Sequence, residues 1–296
     1  MPHLQFPALG TEWTIVIDDP ESADTAEKTS TLQAEILAAT EAFDQECSRF
    51  IQSSQACAFR DQPAGTYTVS QRFAQLLQTA QQLKISTKGA YDPAVGGLLE
   101  LLGYDANYSF RAQSQAAADF SLPEWSIEGD QLQISGGVIF DIGGIGKGYW
   151  IDEIADMVEA AGFKQYLVDG GGDMFGTTKS DGTGWKIALE WPGDAQRVIG
   201  VVELQNQGLA VSDVFKRRWD EWHHLVSIKT KKPTQEIIWS AAVADSAWQA
   251  DQATAALALD WPRAQRMVSS ELAAQFLACT FDKKVHRSPD WSGEVF

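Results

Sequence analysis

The sequence predicts an α+β fold, and three observations carry the prediction. Segments 22–46, 71–85 and 149–161 place apolar residues at helical spacing. Segments 185–190 and 198–204 alternate apolar and polar residues and are separated by a Pro-Gly-Asp turn, the pattern of an antiparallel pair. The 296 residues, 44% of them hydrophobic, suffice for one large domain or two intimately packed β-rich halves with helices outside.

Charge and cysteine usage exclude several classes. The net charge is −17, and no basic stretch is present to track a phosphate backbone, which argues against nucleic-acid binding. An anionic ligand would need a local basic site against this background. The start has no basic n-region, no long apolar run and no early Cys, so no signal peptide or lipoprotein signal is expected. No uninterrupted apolar run approaches the ~18 residues of a membrane span. Cys47, Cys57 and Cys279 are odd in number and lack metal spacing, which fits reduced thiols in the cytoplasm.

In chain order, residues 10–17 alternate as a strand. Residues 22–46 follow as a long helix with Leu32, Ile36, Ala39 and Phe43 on one side. A short strand over 65–70 precedes the helix 71–85, whose apolar side carries Phe73, Leu76, Leu77 and Leu83. In the next turn, Gly-Ala-Tyr-Asp-Pro, Pro93 suits a first helical position and Asp92 suits a cap. Residues 105–137 are turn-rich with little periodicity, and 130–135 is expected to form a hairpin with 138–141 around Gly136-Gly137. Residues 237–244 and 273–280 are further strands.

The richest stretch is 138–175. A hydrophobic strand, 138–140, leads to Asp141 and the glycine-rich turn 141–148. A helix follows over about 149–161, with Ile151, Ile154, Ala155, Val158 and Ala161 on one face, and Gly162 stops it. A second strand, 166–168, leads to a second glycine turn, Asp169 to Asp173. Glycines let a backbone approach a phosphorylated ligand closely. The spacing fits neither a Walker A loop nor a dinucleotide fingerprint. A tight turn alone needs neither Asp141 before it nor Lys147 inside it.

This stretch resembles the central signature of the ApbE-type FAD:protein FMN transferases: an Asp, a small-residue turn, Lys-Gly-Tyr, a helix with an early Asp, and a Gly-Gly-Asp turn. Further segments resemble the family in order. They are Leu9-Gly10-Thr11; Ser48-Arg49-Phe50 with Ser54; Ser86 through Gly96; and His224-Leu225-Val226 followed by Ala250-Asp251. The resemblance covers nearly the whole chain. It implies a single domain over 1–296, with two packed halves and a central FAD cleft. It also implies a transferase that moves FMN from FAD to a Thr or Ser hydroxyl of a partner flavoprotein, releasing AMP with Mg²⁺.

What the family does with these positions is carried over residue by residue. Leu9, Phe50, Ala90, Tyr91, Asp92, Asp141, Lys147 and Val226 are implied to contact FAD. His224 is implied as the base. Gly144 (through its carbonyl), Asp251 and Thr254 are implied to hold Mg²⁺. Each has a plainer reading: Phe50 as a core ring, Asp92 as a cap, His223-His224 as a structural pair, and Asp251 as a charge favourable to a helix dipole. The chain departs from the family at Ala94, Asp213, Ser227, Ile228 and Lys231. It also departs at Ala255, where relatives carry the metal-binding Thr. Two alternatives therefore stand beside the transferase: a Mg²⁺-dependent FAD pyrophosphatase giving FMN and AMP, and a non-catalytic FAD-binding protein.

Overall fold

The computed structural model describes residues 3–18 and 25–296. The chain divides into two units. The first comprises Met1–Glu41, Ile145–Phe215 and Glu236–Phe296; the second comprises Ala42–Gly144 and Lys216–Gln235.

The first unit is built on an eight-stranded sheet with every neighbouring pair antiparallel. Its spatial order is His3–Ala8, Thr11–Ile17, Tyr166–Gly170, Met174–Gly176, Gln207–Asp213, Ile237–Ala244, Gln275–Thr280 and Val285–Arg287. All eight residues of Ile237–Ala244 are buried, as befits a strand covered on both faces. The helix Ala247–Leu259 packs on that strand, on Gln207–Asp213 and on the helix Gly146–Ala160. It starts at Ser246, whose hydroxyl accepts the Gln249 N–H at 3.1 Å. Pro262 lies in the first turn of the next helix, Trp261–Glu271. Trp13, Ile15, Trp150, Ile154, Tyr166 and Val168 are fully buried, each large apolar side chain contributing about 1.5–3 kcal/mol. A separate three-stranded sheet takes Asp194–Leu204 at its centre, between Trp185–Trp191 and Glu294–Val295.

The second unit holds a three-stranded sheet with Gln131–Ile134 between Gly65–Thr68 and Trp125–Glu128. Its helix Gln71–Ser86 is capped by Ser70 and buries Phe73, Leu76, Leu77 and Leu83. Leu98, Leu99, Leu102, Tyr104, Trp219 and Val226 form an apolar core that includes the two-stranded hairpin Arg218–Trp219 with Trp222–His223. The helix Thr25–Cys47 runs from the first unit into the second. Of the expected helix 22–46, positions 22–24 lie outside the described residues.

Several expectations are corrected. Residues 138–140 form no strand and no hairpin with 130–135. Instead the Val138 and Phe140 N–H groups donate to the Phe59 and Ala56 carbonyls, and all three side chains are buried. A Cβ on Gly137 would stand 2.2 Å from the Arg60 carbonyl oxygen, so that glycine serves a close crossing rather than a hairpin turn. The central helix begins at Gly146, not Tyr149, which moves Lys147 out of the turn and into the first helical turn. Ser212, which the family resemblance places in a turn, lies inside the strand Gln207–Asp213, paired to Ser240 across the ladder. Residues 105–137 contain the helix Ser114–Asp119 and two strands. The chain start adds an edge strand, His3–Ala8, joined to its partner by Leu9 and Gly10, both at positive φ as a tight hairpin requires.

Candidate functional site

In the first unit, the two helices that carry Lys147 and Asp251 meet at a glycine. A Cβ at Gly148 would lie 2.4 Å from the Ala247 carbonyl oxygen and 2.7 Å from the Asp251 Cβ, so only glycine allows this approach. The Gly148 N–H, one of the free donors at a helix start, donates to Asp251 Oδ2 at 2.9 Å. In return, Asp152 on the first helix caps the second, accepting the Ala247 and Trp248 N–H groups at 2.9 and 3.0 Å. Burial raises the Asp152 pKa against the lowering effect of those donors.

Asp251 is 4% exposed and Thr254 is fully buried. The Thr254 hydroxyl donates to the Asp251 carbonyl at 3.0 Å and accepts from Ser212 Oγ at 3.1 Å. Lys147 forms an ion pair with buried Asp173, whose other oxygen accepts the Val211 N–H at 2.8 Å. Among the described residues no three His, Cys, Asp or Glu side chains come together as a metal cluster. One carboxylate and neighbouring hydroxyls stand there instead. Leu9 lies half-buried in the turn at the edge of this unit's large sheet.

In the second unit, the predicted residues Phe50, Asp141 and His224, from separate parts of the sequence, are linked. Asp141 lies beside the Gly-Ala-Tyr-Asp-Pro turn, donating its N–H to the Pro93 carbonyl at 2.6 Å. Its Oδ2 takes the Arg49 Nε–H at 2.5 Å and its Oδ1 the Gly143 N–H at 2.7 Å. Burial pushes the Asp141 pKa up, but the Arg49 charge and hydrogen bond, with the Gly143 donor, outweigh it and hold the carboxyl below its usual range.

The Arg49 guanidinium also donates to the Tyr104 carbonyl at 2.7 Å and lies 4.2 Å from the Phe50 ring centroid. Tyr108 stacks on Phe50 at 5.1 Å, and Tyr104 stands 6.3 Å from the His224 ring. Two buried polar atoms in this cluster, Arg49 Nη2 and His224 Nδ1, have no hydrogen-bond partner among the described residues. Burial, then the Arg217 and His223 charges, push the His224 pKa down to about 3, so its imidazole is neutral at neutral pH. His223 is held by its Nε2–H donating to the Thr234 carbonyl at 3.2 Å.

The remaining predicted residues are placed as follows. Ala90, Tyr91 and Asp92 are buried, and the Asp92 carboxylate is engaged by Ala94 N–H, Trp125 Nε1–H and Lys84 Nζ at 3.0, 2.8 and 2.7 Å. Its capping role is thus present, with two further partners. Val226 belongs to the apolar core. Gly144 sits half-buried in the turn after Asp141. The sequence reading did not single out Arg49, Tyr108, Asp152 or Asp173 as site residues. Their partners lie far along the chain, as with Asp152 and Ala247, 95 positions apart. The resemblance includes Arg49, Asp152 as the early helix Asp and Asp173 in the Gly-Gly-Asp turn, but gives none of them a partner.

The pattern that defines the ApbE family matches residues 9–277. An FAD:protein FMN transferase of Vibrio cholerae is 26% identical over 258 residues, covering 82% of this chain and 76% of the relative. The corresponding protein of Haemophilus influenzae is 27% identical over 260 residues, covering 79% and 73%. Among solved structures, a flavin transferase ApbE from Vibrio cholerae superposes with a TM-score of 0.83 at 24% identity, covering 97% of both chains. An ApbE protein from Thermotoga maritima has a TM-score of 0.83 at 23% identity, covering 97% of this chain.

Proposed function

The chain belongs to the ApbE family, and from that premise we propose that it is an FAD:protein FMN transferase, placing FMN on a Thr or Ser hydroxyl of a partner flavoprotein. The convergence in the second unit carries the reading. Phe50, the Ala90–Asp92 turn, Asp141 and His224 come from four separate segments and are joined through Arg49, Pro93 and Tyr104.

In the reaction the acceptor oxygen bonds to the FMN phosphorus, the pyrophosphate P–O bond breaks, and AMP leaves with the bond's electron pair. The hydroxyl proton needs a base, and His224 Nδ1, neutral and unpaired among the described residues, is the group suited to take it. A base with a pKa of about 3 is weak. A phosphate anion beside it would raise that pKa. Lys147, held by Asp173 at a helix N-terminus, is the cation this reading assigns to phosphate oxygens. Phosphoryl transfer rests on such positioning and charge neutralisation.

The donor set of Asp251 and Thr254 fits a Mg²⁺ that takes its other ligands from substrate phosphates, the usual mode for this ion. Mg²⁺, when bound, supplies neutralisation of pyrophosphate charge. No helix among the described residues is long and apolar enough to cross a membrane. Three buried, unpaired thiols fit a reducing compartment, and we place the protein in the cytoplasm.

The test is incubation with FAD and Mg²⁺, with and without a Thr- or Ser-containing acceptor peptide. Transferase activity gives flavin-labelled peptide and an equal amount of AMP. Free FMN and AMP regardless of peptide would make the protein a pyrophosphatase, and intact FAD in both arms would make it a binder.

A further inference from the structure

We infer that Arg49 is a positioning residue of the flavin site, fixing Asp141 and offering its third donor, Nη2, to an acceptor on the flavin ring system. The inference rests on the proposed reading that Phe50 lies against the flavin. Arg49 is 3% exposed, so its charge sits where an isolated ion is costly. Two of its three nitrogens are committed, Nε to the Asp141 carboxylate and Nη1 to the Tyr104 carbonyl. The guanidinium is clamped between rings, 4.2 Å from the Phe50 centroid and 4.7 Å from that of Tyr104. Nη2 is buried without an acceptor among the described residues. Buried donors are rarely left so, and a planar donor beside an aromatic wall suits the carbonyl and imine acceptors of a flat heterocycle.

The same ion pair governs Asp141. Without Arg49 its carboxylate would keep the Gly143 N–H and the more distant Arg217 charge, while burial would drive its pKa upward. The titratable and charged groups facing it are Arg49, Arg217, Tyr104 and His224. Tyr104 is raised from its ordinary value and His224 is lowered to about 3, so neither changes charge near neutral pH.

Riboflavin is the probe, because it carries no phosphate and needs no metal. Its binding to the full chain is followed by flavin fluorescence quenching between about pH 5 and pH 8. Wild type is expected to bind with a flat pH profile. Arg49→Gln is expected to weaken binding by about ten-fold or more, the loss of a charge-assisted hydrogen bond. It should also add a pH dependence, affinity falling as acid protonates the released Asp141. Arg49→Lys should restore the flat profile, because the charge remains, but not the affinity, because the fork is lost. Wild-type affinity in Arg49→Lys, or an unchanged affinity or a flat profile in Arg49→Gln, would overturn the proposal. If Arg49→Gln does not fold, the Arg49→Lys affinity decides alone. Phe50→Ala tests the underlying reading: riboflavin quenching unchanged in that variant would remove the flavin from this wall, and the proposal with it. Loss in Phe50→Ala beside normal binding in Arg49→Lys would refute the role of Arg49 alone.

Discussion

Replacing Gly148 with Ala is expected to damage stability and metal response together. The added Cβ would lie 2.4 Å from the Ala247 oxygen, where ordinary contact begins at 3.4 Å. Both obstacles, a carbonyl and the root of Asp251, are rigid, so the two helices must part by about 1 Å. Overpacking of this kind costs about 1–3 kcal/mol. Parting the helices also stretches the Gly148 N–H bond to the Asp251 carboxylate, now 2.9 Å, worth about 1.5–3 kcal/mol for a charged acceptor. Alanine's better helix propensity returns about 1 kcal/mol. The net loss is about 1.5–5 kcal/mol, read as a lower urea midpoint at constant slope. Displacing Asp251 by about 1 Å should lower Mg²⁺-dependent turnover on the order of 100-fold. A Gly148→Ala protein within about 0.5 kcal/mol of wild type, with an unchanged Mg²⁺ titration, would refute the claim that this glycine sets the helix spacing.

Further outcomes follow from the same geometry. Asp251→Ala should abolish Mg²⁺-dependent FAD cleavage while keeping a cooperative unfolding transition; full activity would remove Asp251 from the metal site. Ala255→Thr, which adds the hydroxyl that the family resemblance implies at this position, should lower the Mg²⁺ concentration for half-maximal rate, and an unmoved titration would contradict that. His224 has a folded pKa of about 3 against 6.5 for the free group. The stability it contributes is therefore present above pH 6.5 and lost as pH falls toward 3, up to about 2 kcal/mol by pH 5. His224→Gln should flatten the acid limb of a stability–pH curve, and an identical limb would mean the histidine is not held neutral by burial. FAD should bind more tightly than FMN, because the proposed reading places the adenosine half and pyrophosphate at the Ala90–Asp92 and glycine-rich turns; equal affinities by fluorescence quenching would count against that placement.

Legibility in the sequence follows local physics. The strand Ile237–Ala244 was read to its ends, since eight small or apolar residues in a row leave few alternatives. The Asp92-Pro93 start was equally plain, because capping and a fixed proline φ act within two residues. The apolar run 138–140 misled, because the same pattern suits a buried irregular segment whose N–H groups find carbonyls at Ala56 and Phe59. His3–Ala8 is not legible because Pro7 weakens a strand signal, yet an edge strand tolerates proline. Of the candidate site, the residue types were visible but not their partners. Nothing local says that Lys147 meets Asp173, that Asp152 caps a helix beginning at Ala247, or that Arg49 holds Asp141. Each depends on contacts between distant segments, and the helix starting at Gly146 shifted Lys147 by changing where the turn ends.

Intact-mass analysis of an acceptor domain reads the proposed transfer itself. The acceptor is incubated with FAD, Mg²⁺ and either the wild-type chain or Asp251→Ala, and AMP is measured in the same samples. With wild type, the acceptor should gain the mass of one FMN less one water at a single Thr or Ser, with one AMP released per modified acceptor. With Asp251→Ala, both signals should vanish. An unmodified acceptor beside wild-type enzyme that binds FAD would contradict the account.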